Sequence, residues 1–247
     1  MRAPSTRELL DVWERGLASP PERWALLLLA AACPESPPEE LARLSVGERD
    51  ARLLTLREWA FGGGFTSVAS CPACAERLEL SFEAGDVRAA PPRGAAAAAG
   101  PHELSAAGHE VEFRLPDSRD LAALAGLDDA ADARRVLFER CLAAARRGGE
   151  EVAAAALPAE VLDAVSEEME RLDPQGNVRL SVECPRCGHG WQALFDICSY
   201  LRGELDAWAR RLLREIHLLA SAYGWRESDT LALSEWRRRL YVQMVNG

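Results

Sequence analysis

Lysine is absent from this chain of 247 residues: all 29 basic positions are arginine, a mark of high-GC coding sequence that says nothing of function. Long apolar runs are missing too. The longest, residues 24–33, falls far short of the roughly 20 apolar residues that a membrane-spanning helix needs. Positive charge is outnumbered, with 39 acidic residues giving a formal net charge of -10, whereas a general nucleic-acid binder carries a basic footprint. No amino-terminal signal segment is evident, since Met1 leads straight into polar, helix-starting sequence, so a cytoplasmic protein is expected. Gly62-Gly63-Gly64 has neither a preceding strand nor the Gly-Lys-Ser/Thr of a phosphate loop. Serine never stands in a Gly-x-Ser-x-Gly context. These absences leave no enzyme signature.

Two Cys-Pro-x-Cys pairs are present: Cys71-Pro72-Ala73-Cys74 and Cys184-Pro185-Arg186-Cys187. Two cysteines three apart present both sulfurs from one tight turn, and four thiolates complete a tetrahedral zinc site. Proline inside each turn fixes its own φ and lowers the entropy lost on closure. Strand-like alternation follows each pair, as Arg77-Leu78-Glu79-Leu80-Ser81-Phe82 and Trp191-Gln192-Ala193-Leu194-Phe195-Asp196. A redox pair of the thioredoxin kind instead sits between a strand and a helix start. Cys71, Cys74, Cys184 and Cys187 therefore read as one zinc ribbon, interrupted by an insertion of about a hundred residues. Independent disulfides, redox pairs and chance remain as alternatives; His189 could substitute as a ligand, but four thiolates suffice and between Gly188 and Gly190 it reads as exposed. A closed four-thiolate site leaves no open position for water or substrate, so its role is structural and part of the folding free energy. Cys33, Cys141 and Cys198 stand in apolar contexts and read as reduced core thiols.

The fold class expected is α+β, mostly α-helical, with the small interrupted ribbon and a long carboxy-terminal amphipathic helix. Residues 1–64 form an amino-terminal helical region. Ser5 or Thr6 caps its first helix, Pro20 and Pro21 open a second, and Ser45 with Glu48 forms a capping box for a third that ends at Gly62. Residues 65–83 are the first ribbon half, and 84–101, rich in alanine and proline, a flexible linker. Residues 102–177 carry a hairpin about Ala107-Gly108 and three helices: one capped by Pro116-Asp117-Ser118, one carrying Val136, Leu137, Cys141 and Leu142, and one from about Pro158. Residues 178–198 are the second ribbon half. In 199–247, Leu201, Leu205, Trp208, Leu212, Ile216, Leu219 and Tyr223 form one helical stripe, widened by Ala209, Leu213 and Ala220. Asp206 and Arg210 pair on its polar side. Gly224 ends the helix, and Ser228 and Ser234 cap two further short ones.

Other constellations read as surface. Asp163, Glu167, Glu168 and Glu170 spread over the solvent face of a helix. His102, His109, His189 and His217 are scattered. Arg237-Arg238-Arg239 follows Glu235 and reads as a solvated face or partner contact, with phosphate the lesser reading.

Taken together, several stretches resemble the baseplate hub assembly protein family of contractile phage tails, including members encoded with phage-tail-like contractile injection systems. They are Ser45-Val46-Gly47-Glu48-Arg49-Asp50, the two cysteine pairs with Gly188-His189, Leu115-Pro116-Asp117-Ser118-Arg119-Asp120-Leu121, Leu205-Asp206-Ala207-Trp208, Glu215-Ile216-His217 and Ala222-Tyr223-Gly224-Trp225. The resemblance implies a chaperone or minor baseplate component that acts on hub or spike proteins. Within it, residues 199–223 and 224–245 are the expected partner face, with Trp208, Tyr223, Trp225, Trp236 and Tyr241 as aromatic anchors; for Trp208 a core role stands beside this. A zinc-ribbon adaptor that touches nucleic acid through Arg186 and Arg237-Arg238-Arg239 is the rival, and a metallohydrolase with one cysteine free is a third reading.

Overall fold

The computed structural model describes residues 1–90 and 100–246. The backbone groups into two units, Met1–Pro34 with Cys198–Gly247, and Glu35–Ile197. The six segments expected from sequence thus regroup, with both ends of the chain in one unit and both ribbon halves in the other.

In the first unit, the α1 helix (Thr6–Gly16) begins at a complete capping box, in which Ser5 and Glu8 satisfy each other's backbone N–H groups. The α2 helix (Pro21–Ala32) opens on proline and buries Trp24, Ala25, Leu28 and Leu29. Gly16 lies so close to the Trp24 ring that a Cβ there would come within 2.4 Å of it. The α9 helix (Ile197–Tyr223) buries Leu201, Leu205, Ala209, Leu212, Ile216 and Leu219, which confirms most of the expected stripe. Leu213 and Tyr223 are exposed instead: Leu213 stands at the edge of the stripe rather than within it, and Tyr223 in the last turn of the helix. The Trp13 indole N–H donates to Asp206 (2.9 Å), which also takes the Arg210 guanidinium (2.8 Å), as the sequence spacing anticipated. Gly224, at φ 67°, stops the helix. The α10 helix (Glu227–Leu231) is capped at Arg226, not at Ser228, because Asp229 receives the Arg226 N–H. The α11 helix (Glu235–Asn246) follows Ser234, whose hydroxyl accepts from the Arg237 N–H.

The second unit starts with a short helix that sequence reading passed over, α3 (Pro38–Ala42). Ser45 caps α4 (Val46–Phe61), but the Glu48 carboxylate turns to Arg52, so only half of the expected box forms. Gly47 approaches the Asp173 carboxylate, which accepts its N–H at 2.7 Å, and a Cβ at Gly47 would sit 2.1 Å from that carboxylate. The β1 (Gly64–Ser70) and β2 (Arg77–Glu83) strands pair as an antiparallel hairpin. Arg57, buried at the end of α4, donates to the carbonyls of Gly62 and Gly64 and lies 3.9 Å over the Phe65 ring, so one guanidinium ties the helix to the hairpin. Residues 84–87, expected as linker, form α5 (Ala84–Val87) with Ala84 and Val87 buried. The rest of that expected linker, 91–99, lies outside the described residues.

A four-stranded antiparallel sheet follows, in order β3 (His102–Ala106), β4 (His109–Phe113), β5 (Leu142–Arg147), β6 (Glu150–Glu151). The hairpin about Ala107-Gly108 is as expected, but Leu142 belongs to β5 rather than to a helix. The α7 helix (Ala130–Cys141) stops at Cys141, and Gly148 and Gly149, at φ 59° and 88°, turn β5 back. The α6 helix (Ser118–Leu124) is capped by Asp117, and α8 (Ala159–Leu172) packs with α7 on one sheet face. Val111, Phe113, Phe138, Cys141, Ala145, Val161 and Val165 form the core between them. The last hairpin is β7 (Arg179–Glu183) with β8 (Gly190–Leu194). Among the described residues no helix is long and apolar enough to cross a membrane.

At the entry to α6 the Asp120 side chain is wholly buried. It accepts both arms of the Arg114 fork (2.5 and 2.8 Å), the Arg140 Nε–H (2.8 Å) and the Asp117 N–H (2.9 Å). Burial alone would push this carboxyl up, but Arg114, the Asp117 N–H and Arg140 outweigh it and hold it at about 2. An unfolded aspartate titrates at about 3.9, so the network contributes roughly 2–3 kcal/mol above pH 4, lost as pH falls from about 4 to about 2. Asp120→Asn is expected to cost about 3 kcal/mol or more at pH 7, measured by urea unfolding. The same variant should show a flatter loss of stability between pH 4 and pH 2 than the parent chain.

Candidate metal centre

Each cysteine pair occupies the tip of a hairpin, Cys71 and Cys74 between β1 and β2, Cys184 and Cys187 between β7 and β8. The two tips fold alike. The Cys71 N–H donates to the Glu76 carbonyl, and the Ala75 N–H returns to the Cys71 carbonyl, both at 2.9 Å. In the second tip Cys184 N–H donates to His189 (2.9 Å) and Gly188 N–H to Cys184 (2.8 Å). The residue after each second cysteine is left-handed, Ala75 at φ 59° and Gly188 at φ 71°. Glycine takes that conformation freely, while alanine pays about 1–2 kcal/mol for it.

Leu78, Leu80, Leu180, Val182, Trp191 and Ala193 pack the inner faces of the hairpins against each other directly beneath the tips. At the other end Phe65, Phe82 and Phe195 form an aromatic trio with ring centroids 5.1–5.6 Å apart. This packing brings all four thiols together, their sulfurs within 4.8 Å of one another. Sγ of Cys71 lies 3.7 Å from that of Cys187, and Sγ of Cys74 lies 3.6 Å from that of Cys184. A tetrahedron with metal–sulfur bonds of 2.3 Å has edges of about 3.8 Å, whereas a disulfide needs about 2.05 Å. The donor set and the spacing fit one tetrahedral metal ion.

Electrostatics point the same way. Burial opposes ionisation of Cys71, but the N–H groups of Ala73 and Cys74 and the adjoining thiols outweigh it and bring the thiol down to about 7. At Cys74 the Glu76 N–H favours the thiolate, yet burial and the three other thiols push it up to about 12. Cys187 is also raised, by burial and by the Cys184 and Cys71 thiols, against the pull of the His189 N–H. One thiol ionises at the expense of its neighbours, and a cation at the centre removes that conflict.

His189 is exposed and outside the cluster, stacked on Trp191 at 6.2 Å. The carboxylates set aside earlier are engaged on the surface, Asp163 by Arg134, Glu168 by Arg171 and Glu170 by Asn177. Cys33, Cys141 and Cys198 are buried and in no disulfide. Of the five aromatic positions, Tyr223, Trp225 and Tyr241 cluster, with centroids 4.9–6.0 Å apart. Trp208 is half-buried, and Trp236 is 69 % exposed. Arg238 is buried in an ion pair with Glu215 and Arg239 pairs with Glu235, so the arginine triplet is largely committed.

Titration with cobalt(II) is expected to give thiolate charge-transfer absorption that saturates at about one equivalent. Cys71→Ser and Cys184→Ser should each lose it, while His189→Ala should keep it. Ala75→Gly should raise unfolding stability by about 1 kcal/mol, read by thermal denaturation, because it relieves the left-handed strain.

A model of the T4 bacteriophage base plate protein matches residues 24–202. Searches of curated proteins and of solved structures returned no match. The matched span holds both hairpin tips, the sheet between them and the Asp120 network. The chain belongs to the T4 bacteriophage base plate protein family.

Proposed function

We propose that the protein is a non-enzymatic assembly chaperone or minor structural component of the baseplate hub in a contractile phage-tail-like particle, and that its four clustered thiolates hold a structural zinc ion. The family match supports a structural or assembly role in a phage baseplate, and the observation that carries the metal reading is the convergence of four thiols at one point. Zinc prefers a tetrahedral thiolate set, and four protein ligands leave no position for substrate. When bound it would neutralise the thiolates and clamp two hairpins that are distant in sequence. The chemistry is therefore scaffolding, consistent with a chain that meets its clients in the cytoplasm.

Hub or spike subunits are the proposed partners, and α11 is the proposed contact. Its inner side faces α9 through Arg238, and its outer side presents Trp236 and Met244, 69 % and 67 % exposed, with Leu240 between them at a spacing of four. Exposed aromatic and apolar anchors at helical spacing suit insertion into a partner groove. The nucleic-acid adaptor reading loses two of its arginines to Glu215 and Glu235.

Affinity purification of the tagged chain from its native host, followed by mass spectrometry, should recover hub or spike subunits; recovery of RNA polymerase or nucleic acid without tail proteins contradicts the proposal. Trp236→Ala should weaken client binding by about 2 kcal/mol while leaving stability within about 0.5 kcal/mol.

A further inference from the structure

Two of the stretches that carry the family resemblance meet in the second unit, at a place with no part in the metal centre. Ser45 bridges Asp117 across the chain, and the Val46 N–H donates to the Pro116 carbonyl at 2.9 Å. Beside this junction is a cavity of about 370 Å³. Four arginines line it: Arg43, Arg114, Arg119 and Arg140. Among the described residues, two carboxylates oppose them. Asp117 takes Arg119, with Nε–H to Oδ2 at 3.0 Å, and Asp120 takes Arg114 and Arg140. Both aspartates are buried, so they act from behind the arginines and fix the direction of each fork. Arg43 has no ion-pair partner among the described residues. Two positive charges are thus left over, in a unit whose residues 35–197 otherwise hold 27 acids against 13 arginines.

Held guanidiniums with free N–H groups recognise carboxylate and phosphate alike. The rest of the lining separates the two. Leu115 and Leu142 form apolar walls beside the arginines, which a bare inorganic anion would leave uncovered and an apolar side chain would fill. We propose that this cavity binds a short acidic peptide segment of a partner protein, its carboxylate on Arg43, Arg119 and Arg140 and an adjacent apolar side chain against Leu115 and Leu142. The site is separate from α11 and from the metal centre, and it stands whichever subunit supplies the segment.

The test is fluorescence anisotropy on the full chain with a labelled peptide of alternating glutamate and leucine. A glutamine–leucine peptide and inorganic phosphate serve as comparisons. Arg43→Glu changes an exposed residue at the end of a short helix and reverses one cavity charge. Arg171→Glu makes the same charge change on the outer face of α8. The parent chain should bind the glutamate–leucine peptide and not the glutamine–leucine one. Arg43→Glu should weaken binding by about tenfold or more, Arg171→Glu should leave it unchanged, and phosphate at equal concentration should not compete. Absence of binding, or equal weakening by both variants, would overturn the proposal. Displacement of the peptide by equimolar phosphate would also overturn it, and would mark a small-anion site instead.

Discussion

Four thiols drawn from two hairpin tips, with Cys74 and Cys184 separated by 110 positions, meet within bonding reach of a single ion. The two hairpins of the second unit are packed together beneath that meeting. Left without a cation, the thiols oppose one another's ionisation, as the split between Cys71 at about 7 and Cys74 at about 12 shows. With a cation they become a cross-link. A link that closes a loop of about a hundred residues removes roughly 4–5 kcal/mol of unfolded-chain entropy, comparable with the net stability of many domains. Beneath the tips, the core from Leu78 to Trp191 packs the two hairpins against each other. The aromatic trio at the far end and the Arg57 clasp on Gly62 and Gly64 then set the direction from which the first hairpin approaches.

Arginine as the sole basic residue has structural consequences in this molecule. Arg57 spans two carbonyls and stacks on a ring, Arg114 meets Asp120 with both arms of its fork, and Arg238 is buried against Glu215. Each use relies on a flat, multiply donating, weakly hydrated cation, for which an ammonium group is a poor substitute. The same chemistry builds the cavity beside Asp117, where buried carboxylates hold arginines that still have donors to offer.

Much of this was legible in the sequence because it rests on local signals. Cysteine spacing located the four thiols that converge, Ser5, Ser45 and Asp117 marked helix starts, and the stripe from Leu201 to Leu219 located α9. What was missed depends on partners distant in sequence. Leu142-Ala143-Ala144-Ala145 has strong helical propensity, yet pairing with β4 and the Gly148-Gly149 turn make it a strand. Nothing in the spacing of Arg114 and Arg140 says that both reach Asp120, since that depends on how α7 returns across the sheet. Ser228 was a plausible cap, but the Arg226 N–H found Asp229 first. The mutual stacking of Tyr223, Trp225 and Tyr241 likewise depends on the turn at Gly224.

X-ray absorption at the zinc edge on the purified chain tests the central claim most directly. The account expects one zinc ion with a shell of four sulfurs at about 2.3 Å and no nitrogen or oxygen neighbour. A shell containing nitrogen or oxygen, or a folded protein that carries no metal while its four thiols remain titratable, would contradict it.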